Sequence, residues 1–273
     1  MNFVEKLTNT TRKNKSLLCV GLDPDPERMP DGVGVFEFNK AIIEATADLV
    51  CAYKPNFAFY EALGNEGLDA LRQTVKYVPD NIPVIADAKR GDIGNTAKAY
   101  ARAIFDYFNF DATTVNPYLG FDSVEPFIQY NDKGVFILCR TSNASAADFQ
   151  SLHCATEEHR PRPLFELVAL KASQWNMHGK IGLVVGATYP EELRLIRQSH
   201  PDMLLLIPGI GAQGGDLATT VRYGVNARGE GAIINSSRAV IYASRGKDFA
   251  QAARQTASSI REQINHILST STP

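Results

Sequence analysis

Polar clusters stand where apolar runs end, and they hold the residue types that proton transfer at carbon requires. Asp87-Ala88-Lys89-Arg90-Gly91-Asp92 follows the apolar run 82–86, Lys54-Pro55-Asn56 closes the run 50–55, and Asp23 follows Val20-Gly21-Leu22. If the chain stays extended through Asp87, Lys89 faces the same way two residues on. With Lys54 arriving from the adjacent strand, an alternating lysine–aspartate–lysine array keeps its carboxylate ionised and its ammonium groups protonated. Such an array presents a proton beside a fixed negative charge. That suits protonation of a developing carbanion, and also expulsion of a substrate carboxylate held too near Asp87. Ordinary ion pairs at loop starts are the plainer reading of any single member; their recurrence at consecutive strand ends favours chemistry. Asp92-Ile93-Gly94-Asn95-Thr96 also reads as the cap and first turn of the following helix, a role compatible with catalysis.

A second constellation, suited to an anion, lies near the other end of the chain. Ile207-Pro208-Gly209-Ile210-Gly211-Ala212-Gln213-Gly214-Gly215-Asp216 follows an apolar run and opens a helical pattern. Glycines let backbone amides approach an anion closely, and a helix N-terminus adds a favourable field. Asn235-Ser236-Ser237-Arg238 ends the next apolar run, where Arg238 can grip two phosphate oxygens. A glycine-rich loop alone is a weak signal, and the arginine after the following strand strengthens it.

Other chemistries lack their residues. His153, His159, His178, His200 and His266 form no metal-ligand spacing. Magnesium on Asp87 and Asp92 is disfavoured because Lys89 between them already supplies the countercharge. Ser142 has no Ser-His-Asp arrangement to activate it. Lys and Arg total 28 against 30 Asp and Glu, a formal net charge of −2, so no basic field suits a nucleic-acid partner. The four cysteines, Cys19, Cys51, Cys139 and Cys154, read as reduced, mostly buried thiols. No apolar signal segment precedes Ser16 and no run reaches transmembrane length, which makes the cytoplasm the expected location, with no membrane partner.

These clusters need a scaffold that gathers strand ends at one face. Apolar, often β-branched runs recur at 16–22, 50–55, 82–86, 112–116, 135–140, 181–186, 203–207 and 231–235. None alternates cleanly between polar and apolar, so each reads as a strand covered on both faces. Amphipathic stretches at 36–49, 67–78, 96–107, 123–129, 165–175, 190–197 and 216–223 separate them, and a last one covers 249–264. Strand-then-helix units repeated through 273 residues predict a single-domain (β/α)8 TIM barrel, whose chemistry sits at the C-terminal ends of its strands. The residues before Ser16 read as a short helix closing one end. The long segment at about 141–163 has no clear period and reads as an active-site loop.

The run from Asp87 to Thr96, Asp-Ala-Lys-Arg-Gly-Asp-Ile-Gly-Asn-Thr, resembles the signature of the orotidine 5′-phosphate decarboxylase family, whose core is Asp-x-Lys-x-x-Asp. Leu22-Asp23-Pro24, Lys54-Pro55-Asn56 and the Pro208 to Gly215 loop match in order and position, so the likeness spans nearly the whole chain. Thr141-Ser142-Asn143 and Asn235-Ser236-Ser237-Arg238 are similar to the longer, type 2 branch, although shorter members commonly carry Gly-Arg where this chain has Ser237-Arg238. The resemblance implies a homodimer, free of metal and organic cofactor, that converts orotidine 5′-phosphate to uridine 5′-phosphate in pyrimidine synthesis. It implies that Lys89 protonates C6 of the pyrimidine, that Asp87 lies against the departing carboxylate, and that Lys54 binds ribose and orients Asp87. Asp23 would bind a ribose hydroxyl and Ser142 the pyrimidine ring. Gln213 and Arg238 would hold the phosphate, with Pro208 and Ile210 in the same substrate-binding loop. Asp92 and Thr96 would enter the active site of the neighbouring subunit.

Two rival readings share parts of this pattern. A sugar-phosphate decarboxylase or epimerase of the 3-keto-gulonate 6-phosphate type has the same Asp-x-Lys-x-x-Asp core but uses magnesium and an enediolate. The contexts of Lys54 and Gln213 favour the nucleotide enzyme. A catalytically silent, nucleotide-binding barrel would need a charged residue to be lost, yet Lys54, Asp87, Lys89 and Asp92 are all present.

Overall fold

The computed structural model describes residues 1–155, 161–210 and 214–271. Its core strands are β1 (Leu18–Leu22), β2 (Ala52–Pro55), β3 (Ile85–Arg90), β4 (Ala112–Val115), β5 (Gly134–Arg140), β6 (Ile181–Val185), β7 (Leu204–Ile207) and β8 (Ala232–Ser236). They form one parallel 8-stranded sheet in the order β2-β1-β8-β7-β6-β5-β4-β3. Parallel bridges from Tyr53 to Val84 and from Asn56 to Asp87 join β2 to β3, and the sheet closes on itself. Closure removes free strand edges, and the crossover helices cover the outside, giving the (β/α)8 barrel that the alternating runs predicted. Each expected run overlaps a strand. The third extends past 86 to Arg90, because polar residues there continue the backbone pairing that an apolar pattern cannot reveal.

The principal helices are α1 (Phe3–Asn14), α2 (Val35–Thr46), α3 (Gly64–Tyr77), α4 (Gly94–Arg102), α5 (Phe121–Ile128), α6 (Leu164–Trp175), α7 (Pro190–Ser199), α8 (Leu217–Gly224) and α9 (Phe249–Ser271). α4 continues through a π-helical turn, Ala103–Tyr107. Helix α1 begins with a capping box between Asn2 and Glu5 and lies under the barrel. There Phe3 meets Phe136 edge to face at a centroid distance of 5.8 Å. Lys6 pairs with Asp111 at 2.9 Å, and Asp111 also accepts the Val84 amide, so the floor helix is tied to the strand bottoms.

Side-chain alternation along each strand decides what reaches the mouth. Leu18, Val20 and Leu22 point outward into the strand–helix core, whereas Cys19 points inward. Every strand contributes to this inner layer, including Ala52, Ile85, Ala112, Phe136, Leu206 and Ile233. One pleat further along, the same inward direction belongs to Lys54, Asp87, Thr114, Leu138, Pro208 and Asn235, all of which line the cavity at the strand ends. A dry apolar layer therefore supports a polar one directly above it.

The long segment at 141–163 is built from local turns. Ala144–Ala146 forms a 3₁₀ turn, Ala147–Gln150 a single helical turn, and His153–Cys154 pairs antiparallel with Arg162–Pro163. Residues 156–160 of that segment lie outside the described residues. Among the described residues, no helix is long and apolar enough to cross a membrane.

Candidate active site

Lys54 Nζ stands 2.9 Å from Asp87 Oδ2, and Lys89 Nζ stands 2.6 Å from Asp87 Oδ1. The side chains of Lys54 and Asp87 are only 5% and 12% exposed, while Lys89 reaches into the cavity at 49%. Burial pushes the Asp87 carboxyl up, but the facing Lys54 and Lys89 ammonium groups outweigh it and hold the acid well below the usual carboxylate range. Burial likewise opposes charge on Lys54, and Asp87 with Asp23 reverses that effect, raising the ammonium above its ordinary value. Both charges of the pair persist at neutral pH.

The backbone beneath this array is irregular. Pairing of β3 with β4 shifts register between Ala86 and Arg90, and Lys89 adopts φ 45°, a left-handed conformation that a lysine rarely takes. Thr114 on β4 holds it there: its hydroxyl accepts the Lys89 amide at 2.9 Å and donates to Asp87 Oδ1 at 3.2 Å. Extension through the cluster was the sequence expectation. Asp87 and Lys89 do meet on one side, but through a kinked strand rather than a regular one.

Asp23 forms a second acidic point. Ser237 Oγ donates to Asp23 Oδ2 at 2.6 Å, whereas Asp23 Oδ1 is buried and has no partner among the described residues. Tyr60 donates to the Leu22 carbonyl and Tyr242 to the Asp23 carbonyl, at 2.9 and 2.8 Å, fixing the backbone around it.

These groups open into a cavity of about 550 Å³, within the range of small-molecule sites. Asp23, Lys54, Asp87, Lys89, Ser142, Pro208, Ile210 and Arg238 all line it, so the structure gathers eight of the sequence-selected residues in one place. Ser142 lies against Gly186, where an added Cβ would come 2.7 Å from the Ser142 Cβ; glycine is needed for that approach. On the opposite side, the Gly215 amide donates to the Gly209 carbonyl at 3.1 Å, pinching the glycine-rich loop at its base. Gln213 falls outside the described residues.

Some expectations change. Asp216 caps α8 by accepting the Thr219 amide at 2.6 Å, so the first turn of that helix already faces a carboxylate. The field of that helix is therefore less available to an anion than the sequence suggests. Asp92 is not a helix cap. Ile93 occupies the cap position of α4, and among the described residues the Asp92 carboxylate accepts the Ile93 amide, at 2.8 Å. Neither Asp92 nor the exposed Thr96 lines the cavity of its own chain.

Thr114, Asn235 and Gln150 also line the cavity, and the sequence reading assigned them no role. Thr114 sits in an apparently ordinary β-branched run; only its place one pleat above inward-facing Ala112 marks it. Gln150 accepts the Thr141 amide at 2.9 Å and donates to the Thr141 hydroxyl at 2.9 Å, closing the turn that carries Ser142. Among the described residues, no group of three or more His, Cys, Asp or Glu could hold a metal ion.

Comparison with known proteins shows the family. The chain is 57% identical over 266 residues to an orotidine 5′-phosphate decarboxylase from Dehalococcoides mccartyi (strain CBDB1), covering 97% of this chain and 98% of that one. It is 53% identical over 274 residues to an orotidine 5′-phosphate decarboxylase from Roseiflexus sp. (strain RS-1), covering 98% and 99%. The solved structure of Leishmania donovani OMP decarboxylase superposes with a TM-score of 0.85 at 41% identity, covering 98% of this chain and 99% of that one. The family model described as orotidine 5′-phosphate decarboxylase / HUMPS family matches residues 16–255. A closed barrel with paired lysines on one buried aspartate and full-length likeness to these proteins place the chain in the orotidine 5′-phosphate decarboxylase / HUMPS family.

Proposed function

We propose that this protein decarboxylates orotidine 5′-phosphate to uridine 5′-phosphate and carbon dioxide, using its own side chains and no metal or organic cofactor. The observation that carries the reading is Asp87, held ionised between Lys54 and Lys89 at the foot of the cavity. A substrate carboxylate seated beside Asp87 meets a fixed negative charge, while the Lys89 ammonium lies next to the same spot. The C6–carboxylate bond breaks and its electron pair stays on C6. The Lys89 proton moves to C6 as carbon dioxide leaves, and the resulting amine regains a proton from water. Pre-aligned charge of this kind acts where the transition state develops charge, without reorganisation.

Remote groups position the reacting carbon. Arg238 and the amides of the loop around Gly209, with Gln213, take the phosphate, and Pro208 and Ile210 form the adjoining wall. Asp23 takes a ribose hydroxyl, Lys54 contacts the ribose and orients Asp87, and Ser142 meets the pyrimidine ring. Binding energy from the phosphate end then presses the carboxylate toward Asp87. The protein acts as a homodimer in which Asp92 and Thr96 serve the neighbouring subunit's cavity. Support comes from their position outside their own cavity and from exposed apolar residues: Ile93 beside Asp92, and Tyr118 and Phe121 just after Asn116, which lies against Gly91; they are 54%, 83% and 42% exposed. Four free cysteines fit work in the reducing cytoplasm, with no nucleic-acid or membrane partner.

The test is absorbance-monitored turnover of orotidine 5′-phosphate after EDTA treatment, with Lys89→Ala alongside. Full wild-type turnover and a loss of about 10²–10⁴-fold in the variant are expected for removal of the proton donor. No turnover by folded wild type, with activity on sugar phosphates restored by magnesium, would overturn the reading in favour of the sugar-phosphate chemistry.

A further inference from the structure

Ser237 joins the two ends of the cavity. It follows β8, immediately precedes Arg238, and its hydroxyl donates to Asp23 Oδ2 at 2.6 Å, with the Gly21 carbonyl 3.3 Å away. One proton cannot serve both acceptors equally, and the shorter, charge-assisted bond to the carboxylate dominates. Meanwhile Asp23 Oδ1 is buried without a partner among the described residues, although both Asp23 and Ser237 line the cavity. A buried carboxylate oxygen left bare is costly unless something supplies a donor.

We propose that Ser237 is a positioning residue, acting on the reaction proposed above, that fixes the rotamer of the Asp23 carboxylate for its contact with a ribose hydroxyl of the nucleotide. The backbone cannot do this alone. Tyr60 and Tyr242 anchor the carbonyls of Leu22 and Asp23, which leaves the side-chain torsion free. Lys54 bonds to Asp87 rather than to Asp23. The Ser237 hydroxyl is the group that selects one carboxylate orientation. Gly21 makes room for it, because an added Cβ there would come 2.6 Å from the Ser237 Cβ. Since Arg238 is the next residue, the strand end that grips the phosphate also sets the group that reads the sugar.

Wild type and Ser237→Ala are compared on orotidine 5′-phosphate and on its 2′-deoxy and 3′-deoxy forms. On the parent substrate, kcat/KM is expected to fall about tenfold, mostly through KM. On the deoxy form that lacks the hydroxyl held by Asp23, the fall is expected to be less than twofold. The same substitution made in an Asp23→Ala background is expected to add less than twofold, and this holds whether or not the single variant is slightly less stable. An equal loss on all three substrates, a loss that multiplies with that of Asp23→Ala, or no loss on the parent would overturn the inference. Inactive wild type would count instead against the decarboxylase reading, so the two failures are distinguishable.

Discussion

The Thr114 hydroxyl donates to Asp87 Oδ1 at 3.2 Å while accepting the Lys89 amide at 2.9 Å, so one side chain on β4 sets both the carboxylate and the strained backbone of its lysine neighbour. Thr114→Val keeps the shape and removes both bonds. With about 0.5–1.5 kcal/mol per neutral hydrogen bond and more for a charged acceptor, turnover is expected to fall roughly tenfold or more. Thr114→Ser should retain most activity. Steady-state kinetics of the pair check this, and equal activity in Val and Ser variants would count against it.

Lys54 and Asp87 define a broad window of pH. The Asp87 pKa is depressed in the fold, so its stabilising contribution is present above the unfolded value of about 3.9 and is lost as pH falls below it. The Lys54 pKa is raised, so its contribution is present below about 10.5 and is lost as pH rises beyond that. Neither group titrates near neutrality. In Lys54→Met the Asp87 carboxyl loses its nearest buried countercharge and moves up, and the acid limb of stability is expected to begin at higher pH than in wild type. Urea unfolding between pH 3 and 7 measures the shift; superimposable acid limbs would argue against it.

Lys89 holds φ 45°, and this separates the stability of the site from its chemistry. Replacement by glycine relieves the left-handed strain that alanine retains, less the extra chain entropy of glycine. Lys89→Gly is expected to be more stable than Lys89→Ala by about 1 kcal/mol. Both variants lack the proposed proton donor, and both should show the same loss of turnover, about 10²–10⁴-fold. Denaturant midpoints in the reverse order would show that the kink is not strained.

Arg197 is a test of the scaffold away from the cavity. Buried at 7% exposure, its guanidinium donates to the carbonyls of Gly224, His200, Pro201, Met203 and Gly231. Burial lowers it to about 10, and the ring of carbonyl dipoles takes the place of a bonded carboxylate. Arg197→Met leaves those carbonyls bare and is expected to destabilise the barrel by about 2–4 kcal/mol. Calorimetry should show a fall in Tm of several degrees, with kcat little changed at low temperature.

The dimer proposal also makes a sharp demand. Tyr118 and Phe121 are 83% and 42% exposed on the segment that follows β4. Introducing charge on this apolar surface, as in Tyr118→Lys with Phe121→Lys, is expected to yield monomers by sedimentation. Activity should fall in step, because Asp92 and Thr96 no longer reach a second cavity. A fully active monomer would refute their proposed roles.

Residue types and spacing determined the barrel and the residues that stand at its strand ends. Runs covered on both faces and separated by amphipathic stretches leave few alternatives to parallel strands with crossover helices. Alternation along a strand puts Lys54 and Asp87 on the inner face above Ala52 and Ile85, so their meeting is legible once closure is assumed. What depends on register between distant strands was not legible. Thr114 beneath Lys89 and Ser237 on Asp23 are ordinary polar residues whose partners lie 25 and 214 positions away. The left-handed turn at Lys89 is likewise invisible locally, since lysine has no preference for it and only the shifted pairing with β4 imposes it. Sequence thus determined which groups face the cavity, through the two-residue period of a strand. Tertiary structure decided which of them touch, because that depends on the closure and stagger of the barrel rather than on any one segment.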